Sequence, residues 1–120
     1  MNTYYQITKK VIENSESTFH ITLLPDFQAY KGHFPGNPVS PGVCNIQMIK
    51  ECTEQLAGKH LFLKYIKKCK FTAVITPQTT PHLQLRIQLT EADEMYKVEA
   101  IVFDDSNTYI DFKGDFSTNR

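Results

Sequence analysis

Twelve consecutive residues, Gly32-His33-Phe34-Pro35-Gly36-Asn37-Pro38-Val39-Ser40-Pro41-Gly42-Val43, hold three of the chain's six prolines and three of its five glycines around one histidine. Proline fixes φ and removes a donor, while glycine permits positive φ or close backbone approach, so the segment is held in a defined shape. An imidazole titrates near neutrality without a large environmental shift, which suits His33 to proton transfer. Shortly downstream stand Gln47 and Glu51, an amide and a carboxylate four residues apart. At that spacing on a helix two side chains share one face. The other histidines, His20, His60 and His82, have no such setting and are assigned structural or solvent roles.

The elements that must position these groups are legible from periodicity. Ser40 reads as an N-cap and Pro41 as the first helical residue, since a capping hydroxyl accepts an orphan N–H and proline has none to lose. Gly58 reads as the stop. Between them Asn45, Met48, Ile49, Cys52 and Leu56 cluster on one side, and Gln47, Lys50, Glu51 and Glu54 on the other. Cys44, in the first turn, reads as a small packed residue rather than a dipole-activated nucleophile.

Strands surround this helix. Phe19, Ile21 and Leu23 alternate with polar residues, and a less regular extended run passes through Tyr5, Ile7 and Val11. From Leu61 onward Leu63, Tyr65, Cys69, Phe71, Ala73 and Ile75 share one parity, with Lys64, Lys68 and Lys70 on the other. Lys67 breaks the pattern, which predicts a long strand bent near that point. Leu83, Leu85, Ile87 and Leu89 alternate after a turn cluster at 76–81. The segments 96–103 and 108–116 flank Asp104-Asp105-Ser106-Asn107, a hairpin turn. One helix enclosed by a mainly antiparallel sheet is an α+β domain.

Length and charge bound the rest. The 120 residues fit a single domain, 1–120, and 13 basic residues balance 13 acidic ones. That balance removes the broad field a nucleic-acid or membrane-surface binder needs. The N-terminus MNTYYQITKK has no apolar targeting core and no run is long enough to span a membrane, so a cytoplasmic chain is expected. Cys44, Cys52 and Cys69 are odd in number and lack paired metal-ligand spacing, so reduced thiols are expected, with no metal and no cofactor.

His33-Phe34-Pro35-Gly36-Asn37-Pro38-Val39-Ser40-Pro41-Gly42-Val43 resembles the H-F-P-G-x-P-[IV]-x-P-G-V signature of the hotdog-fold 3-hydroxyacyl-(acyl carrier protein) dehydratases of fatty acid synthesis. The run from Leu63 to Pro77 and the final hairpin extend the likeness over nearly the whole chain. The resemblance implies a long central helix wrapped by a curved sheet, two protomers joined through a continuous sheet, and acyl-thioester tunnels between them. The implied reaction removes water from a 3-hydroxyacyl thioester. It needs a base for the C2 proton, an acid for the departing C3 hydroxyl, and a donor to the thioester oxygen.

By this resemblance His33 is the catalytic base and the backbone N–H of Gly42 polarises the carbonyl, with Phe34, Gly36 and Val43 lining the acyl thioester. The family's acid, usually glutamate, falls on Gln47, and an amide is no proton donor at ordinary pH. Glu51, about 6 Å further along the axis on the same face, is the candidate to replace it by a relay through Gln47 or one water, unless it simply belongs to a polar helix face. His33 returning the proton it removes is the other route. Lys64, Lys67, Lys68 and Lys70 would dock an acidic acyl carrier protein or other acyl-thioester carrier, unless they form an ordinary solvated face. The missing acid also leaves a hotdog thioesterase or a non-catalytic acyl-carrier-binding subunit as alternatives, and the polar helix face calls for a homodimer or an assembly of dimers.

Overall fold

The computed structural model describes residues 5–13, 16–24, 42–73, 75 and 81–119. His33, Phe34, Gly36, Ser40 and Pro41 lie outside the described residues, as does the turn segment 76–80. Among the described residues six strands, β1 (Tyr5–Ile12), β2 (Glu16–Leu23), β3 (Phe62–Phe71), β4 (His82–Ala92), β5 (Met95–Phe103) and β6 (Thr108–Ser117), accompany one helix, α1 (Gly42–Ala57). The strands form one sheet in the order β1-β2-β4-β5-β6-β3. Every neighbouring pair is antiparallel. This is the expected α+β hotdog fold, a central helix wrapped by a curved sheet. Among the described residues no helix is long and apolar enough to cross a membrane.

The expected helix face is the buried one. Met48, Ile49 and Cys52 are fully buried and join Phe19, Leu85 and Phe116 from the sheet in one core. Burying each such large apolar side chain contributes roughly 1.5–3 kcal/mol. The buried Thr53 was not legible from periodicity, and its hydroxyl donates to the Ile49 carbonyl at 2.7 Å. Gly58 ends α1 at φ +70°, with its N–H donating to the Glu54 carbonyl at 2.8 Å. Glycine is the residue that adopts this left-handed cap at least cost. The Glu54 carboxylate then accepts the Leu61 N–H at 2.8 Å and meets His60 Nδ1 at 2.9 Å, which ties the helix end to the start of β3.

The hairpin after β5 is built as its residues dictate. Asp104 Oδ1 accepts the N–H groups of Ser106 and Asn107, and Tyr109 donates its hydroxyl to Asp104 Oδ2 at 2.6 Å. These bonds, the Tyr109 hydroxyl foremost, hold the Asp104 carboxyl below its ordinary pKa. The β4–β5 turn was not anticipated. Asp93 and Glu94 both take positive φ, 50° and 67°, the conformation of a two-residue primed hairpin whose twist matches its strands.

Two strands depart from strict alternation, for one reason. In β1 the pairing with β2 slips between Ile7 and Lys9, so Thr8 is an extra residue. The slip puts Val11 opposite Thr18 rather than on the Phe19 face. In β3 the register with β6 slips twice, leaving Lys64 and Lys67 as extra residues. Tyr65 therefore pairs with Asp115 and Ile66 with Gly114, so the expected inward parity at Tyr65 is corrected to Ile66. The second bulge restores it, with Cys69 opposite Phe112. Gly114 accommodates the deformed β3: a Cβ there would lie 2.7 Å from the Tyr65 carbonyl oxygen and 2.9 Å from the Phe112 ring.

Candidate active site

Helix α1 opens at Gly42, the last glycine of the constrained segment. The first backbone N–H groups of a helix carry the positive end of its dipole. No acidic side chain occupies that first turn to neutralise it. The backbones of Gly42 and Val43 are described and their side chains are not. Cys44, next in the turn, packs partly against the core, and burial pushes its thiol pKa up. A thiol so protonated is a packing group, not a nucleophile.

One turn on, the polar helix face carries a chain of hydrogen bonds. Gln47 Nε2 donates to Glu51 Oε2 at 3.2 Å. The Tyr5 hydroxyl donates to the other carboxylate oxygen, Glu51 Oε1, at 2.7 Å. Gln47 is exposed, Glu51 half-buried and Tyr5 only 5% exposed, so the chain runs from the molecular surface to the core between α1 and β1. Burial, and then the bond to Glu51, push the Tyr5 pKa well above the ordinary phenol range. The hydroxyl therefore keeps its proton at neutral pH and stays a donor. Beside it the buried Cys52 thiol is pushed up to about 12, mainly by desolvation, and takes no part as a thiolate.

The structure thus brings Gln47 and Glu51 together, as their spacing predicts, and adds Tyr5, which sequence reasoning missed. The available signal was weak. Tyr5 shares a parity with Ile7 at the start of β1, which marks it as inward-facing, but only the packing of α1 shows a carboxylate opposite its hydroxyl.

The four lysines lie on β3, at the sheet edge opposite β1. All four are exposed. Lys67 pairs with Asp115 at 3.4 Å and Lys68 with Asp111 at 2.7 Å. A surface cavity of about 330 Å³ on the sheet face away from the core is lined by Lys68, Arg86, Glu99, Asp111 and Lys113 among others. Its cations are already paired, Arg86 with Glu16 at 2.9 Å and Lys113 with Glu99 at 3.6 Å. Such a charged wall does not suit an acyl chain. Among the described residues no cluster of histidine, cysteine or carboxylate side chains could hold a metal.

Residues 8–110 match the ApeI-like family, described as the ApeI dehydratase. The chain belongs to the ApeI-like family. The fatty-acid dehydratases that the motif resembles are relatives of it. The chain is 35% identical over 81 residues to the 3-hydroxyacyl-(acyl-carrier-protein) dehydratase FabZ of Lactiplantibacillus plantarum, covering 62% of this chain and 52% of that protein. It is 33% identical over 94 residues to FabZ of Lactobacillus helveticus, covering 72% and 62%. The ApeI-like chain spans about half the length of the curated relatives it matches. Among solved structures, the dehydratase heterocomplex ApeI:P from Xenorhabdus doucetiae superposes with a TM-score of 0.76 at 20% identity, over 93% of this chain and 96% of that one. An uncharacterized protein from Erwinia carotovora subsp. atroseptica superposes with a TM-score of 0.63 at 19% identity, over 98% and 95%. At these identities the likeness speaks for the hotdog fold.

Proposed function

We propose that the protein dehydrates a 3-hydroxyacyl thioester, carried on an acyl carrier protein or similar carrier, to the enoyl thioester. One observation carries this reading: the last two residues of the motif, Gly42 and Val43, are the first two of α1, whose polar face holds Glu51 and Gln47. His33 takes the C2 proton as the Gly42 N–H donates a hydrogen bond to the thioester oxygen, where negative charge develops. The C2=C3 bond forms as the C3 hydroxyl departs with a proton, as water. Loss of a general acid costs about 10²–10⁴ in rate, so the proton source matters. Glu51, which accepts from Gln47 in this structure, supplies the proton only when it is itself protonated, and His33 returning the proton it took is the other source. Phe34, Gly36 and Val43 enclose the thioester in this reading, and Lys64, Lys67, Lys68 and Lys70 face the carrier. With Lys67 and Lys68 drawn onto Asp115 and Asp111, the exposed Lys64 and Lys70 are the more available cations.

Incubation with 3-hydroxyacyl carrier thioesters of graded chain length tests the assignment. Enoyl product is expected. Free acid instead identifies a thioesterase, and unchanged thioester a binding subunit, and either result overturns dehydration.

The site also calls for a second protomer. β3 is an edge strand that exposes Tyr65 by 65%, Ile66 by 47% and Phe71 by 51%. An exposed edge with apolar side chains is a template for pairing. We assign it to a second copy of this chain, whose sheet continues the first. The Xenorhabdus doucetiae dehydratase is by its description a heterocomplex, so a different hotdog chain is the competing partner. Sedimentation of the purified protein at micromolar concentration is expected to give a dimer or a multiple of it. A lone monomer rules out self-pairing and leaves the competing partner.

A further inference from the structure

We propose that Tyr5 is a positioning residue of the active site: its hydroxyl holds the Glu51 carboxylate against the amide of Gln47 and so determines which end of that amide is offered outward. The proposal rests on the dehydration reading and adds a residue to it. Both oxygens of Glu51 are occupied by donors, Oε1 by the Tyr5 hydroxyl at 2.7 Å and Oε2 by Gln47 Nε2 at 3.2 Å. A carboxylate accepts and an amide can present either end, so the carboxylate selects the nitrogen of Gln47 as the inward atom. The carbonyl oxygen of Gln47 is then the atom the exposed end of the chain offers. A carbonyl oxygen at that place can accept from a substrate hydroxyl or from a protonated imidazole, which an outward NH₂ could not do.

Tyr5 suits the task because it is immobile. It is buried in the core on β1, 46 residues from Glu51 in sequence, whereas Glu51 and Gln47 sit on a helix face with several rotamers open to them. A donor fixed in the core removes that freedom from Glu51, and through Glu51 from Gln47. The burial that keeps the phenol protonated keeps it a donor.

The test is Tyr5→Phe, which retains the ring and removes only the hydroxyl. Expected is a fall in kcat of about 10- to 100-fold, the scale on which misplacement of a reacting group acts, with KM unchanged. In a Glu51→Gln background the same substitution is expected to add no further loss of kcat, because Tyr5 acts on Gln47 through that carboxylate. A Tyr5→Phe kcat equal to the parent's, or a loss that simply multiplies with that of Glu51→Gln, overturns the proposal and leaves dehydration standing. A parent protein that forms no enoyl product overturns both. If Tyr5→Phe does not fold, 3-fluorotyrosine at position 5 keeps ring and hydroxyl and strengthens the donor. It must change kcat at constant KM, and an unchanged kcat overturns the proposal.

Discussion

His33→Ala is expected to lower enoyl formation by at least about 10²–10⁴-fold, the usual contribution of a general base, at an unchanged unfolding temperature. His33 belongs to a sequence rich in proline and glycine, and in the proposed function its work is proton transfer rather than core packing. If His33 also returns the proton to the leaving hydroxyl, the same substitution removes both halves of the reaction and the loss lies at the upper end. Steady-state rates on a 3-hydroxyacyl carrier thioester, with thermal unfolding measured on the same sample, check both parts. Unchanged turnover ends the dehydratase assignment. A collapse of unfolding temperature would instead make the histidine a structural residue.

Glu51 and Gln47 give the second large effect. The 3.2 Å contact between them makes the two positions one unit, so changes at either propagate to the other. Glu51→Gln is expected to reduce turnover by about two orders of magnitude or more. It removes the carboxyl proton donor, and its NH₂ competes to face Gln47, which would turn that amide around. Gln47→Glu is expected to gain little, although it restores the acid that the motif's relatives carry. It sets two carboxylates in direct contact, where like charge raises the cost of ionising both and their titrations couple. Rates measured across pH for the parent and both variants distinguish the cases. Turnover untouched by Glu51→Gln sinks the role of Glu51. A tenfold or greater gain from Gln47→Glu would make Gln47 the vestige of a lost acid.

The alternation of β2 and β4, the buried face of α1 and its stop at Gly58 depend on neighbours two to four residues away. Local sequence spells these out, and so Phe19, Leu85, Met48 and Cys52 are buried as their spacing predicts. The Asp104 turn is likewise made by bonds spanning five residues or fewer. The bulges are different in kind. Lys67 breaks the alternation and so marks the bend that the second bulge makes, but nothing in Lys64 says that an extra residue must be absorbed there. The room for it comes from β6, where Gly114 has no Cβ to meet the Tyr65 backbone. Without that partner the first bulge is not legible, and Tyr65 is assigned to the wrong face.

The chemical identity of the site was likewise divided between the two levels. By itself the sequence determined the proline- and glycine-rich segment around His33, the start of a helix directly after it, and the shared helical face of Gln47 and Glu51. Each follows from covalent constraints on φ or from a fixed rise and twist per residue. Tertiary structure alone decided that β1 and β3 lie at opposite edges, that two of the four lysines pair with carboxylates on β6, and that Tyr5 reaches Glu51 across 46 residues. Such meetings depend on how the sheet curves around the helix, a property of all six strands together that no single spacing encodes.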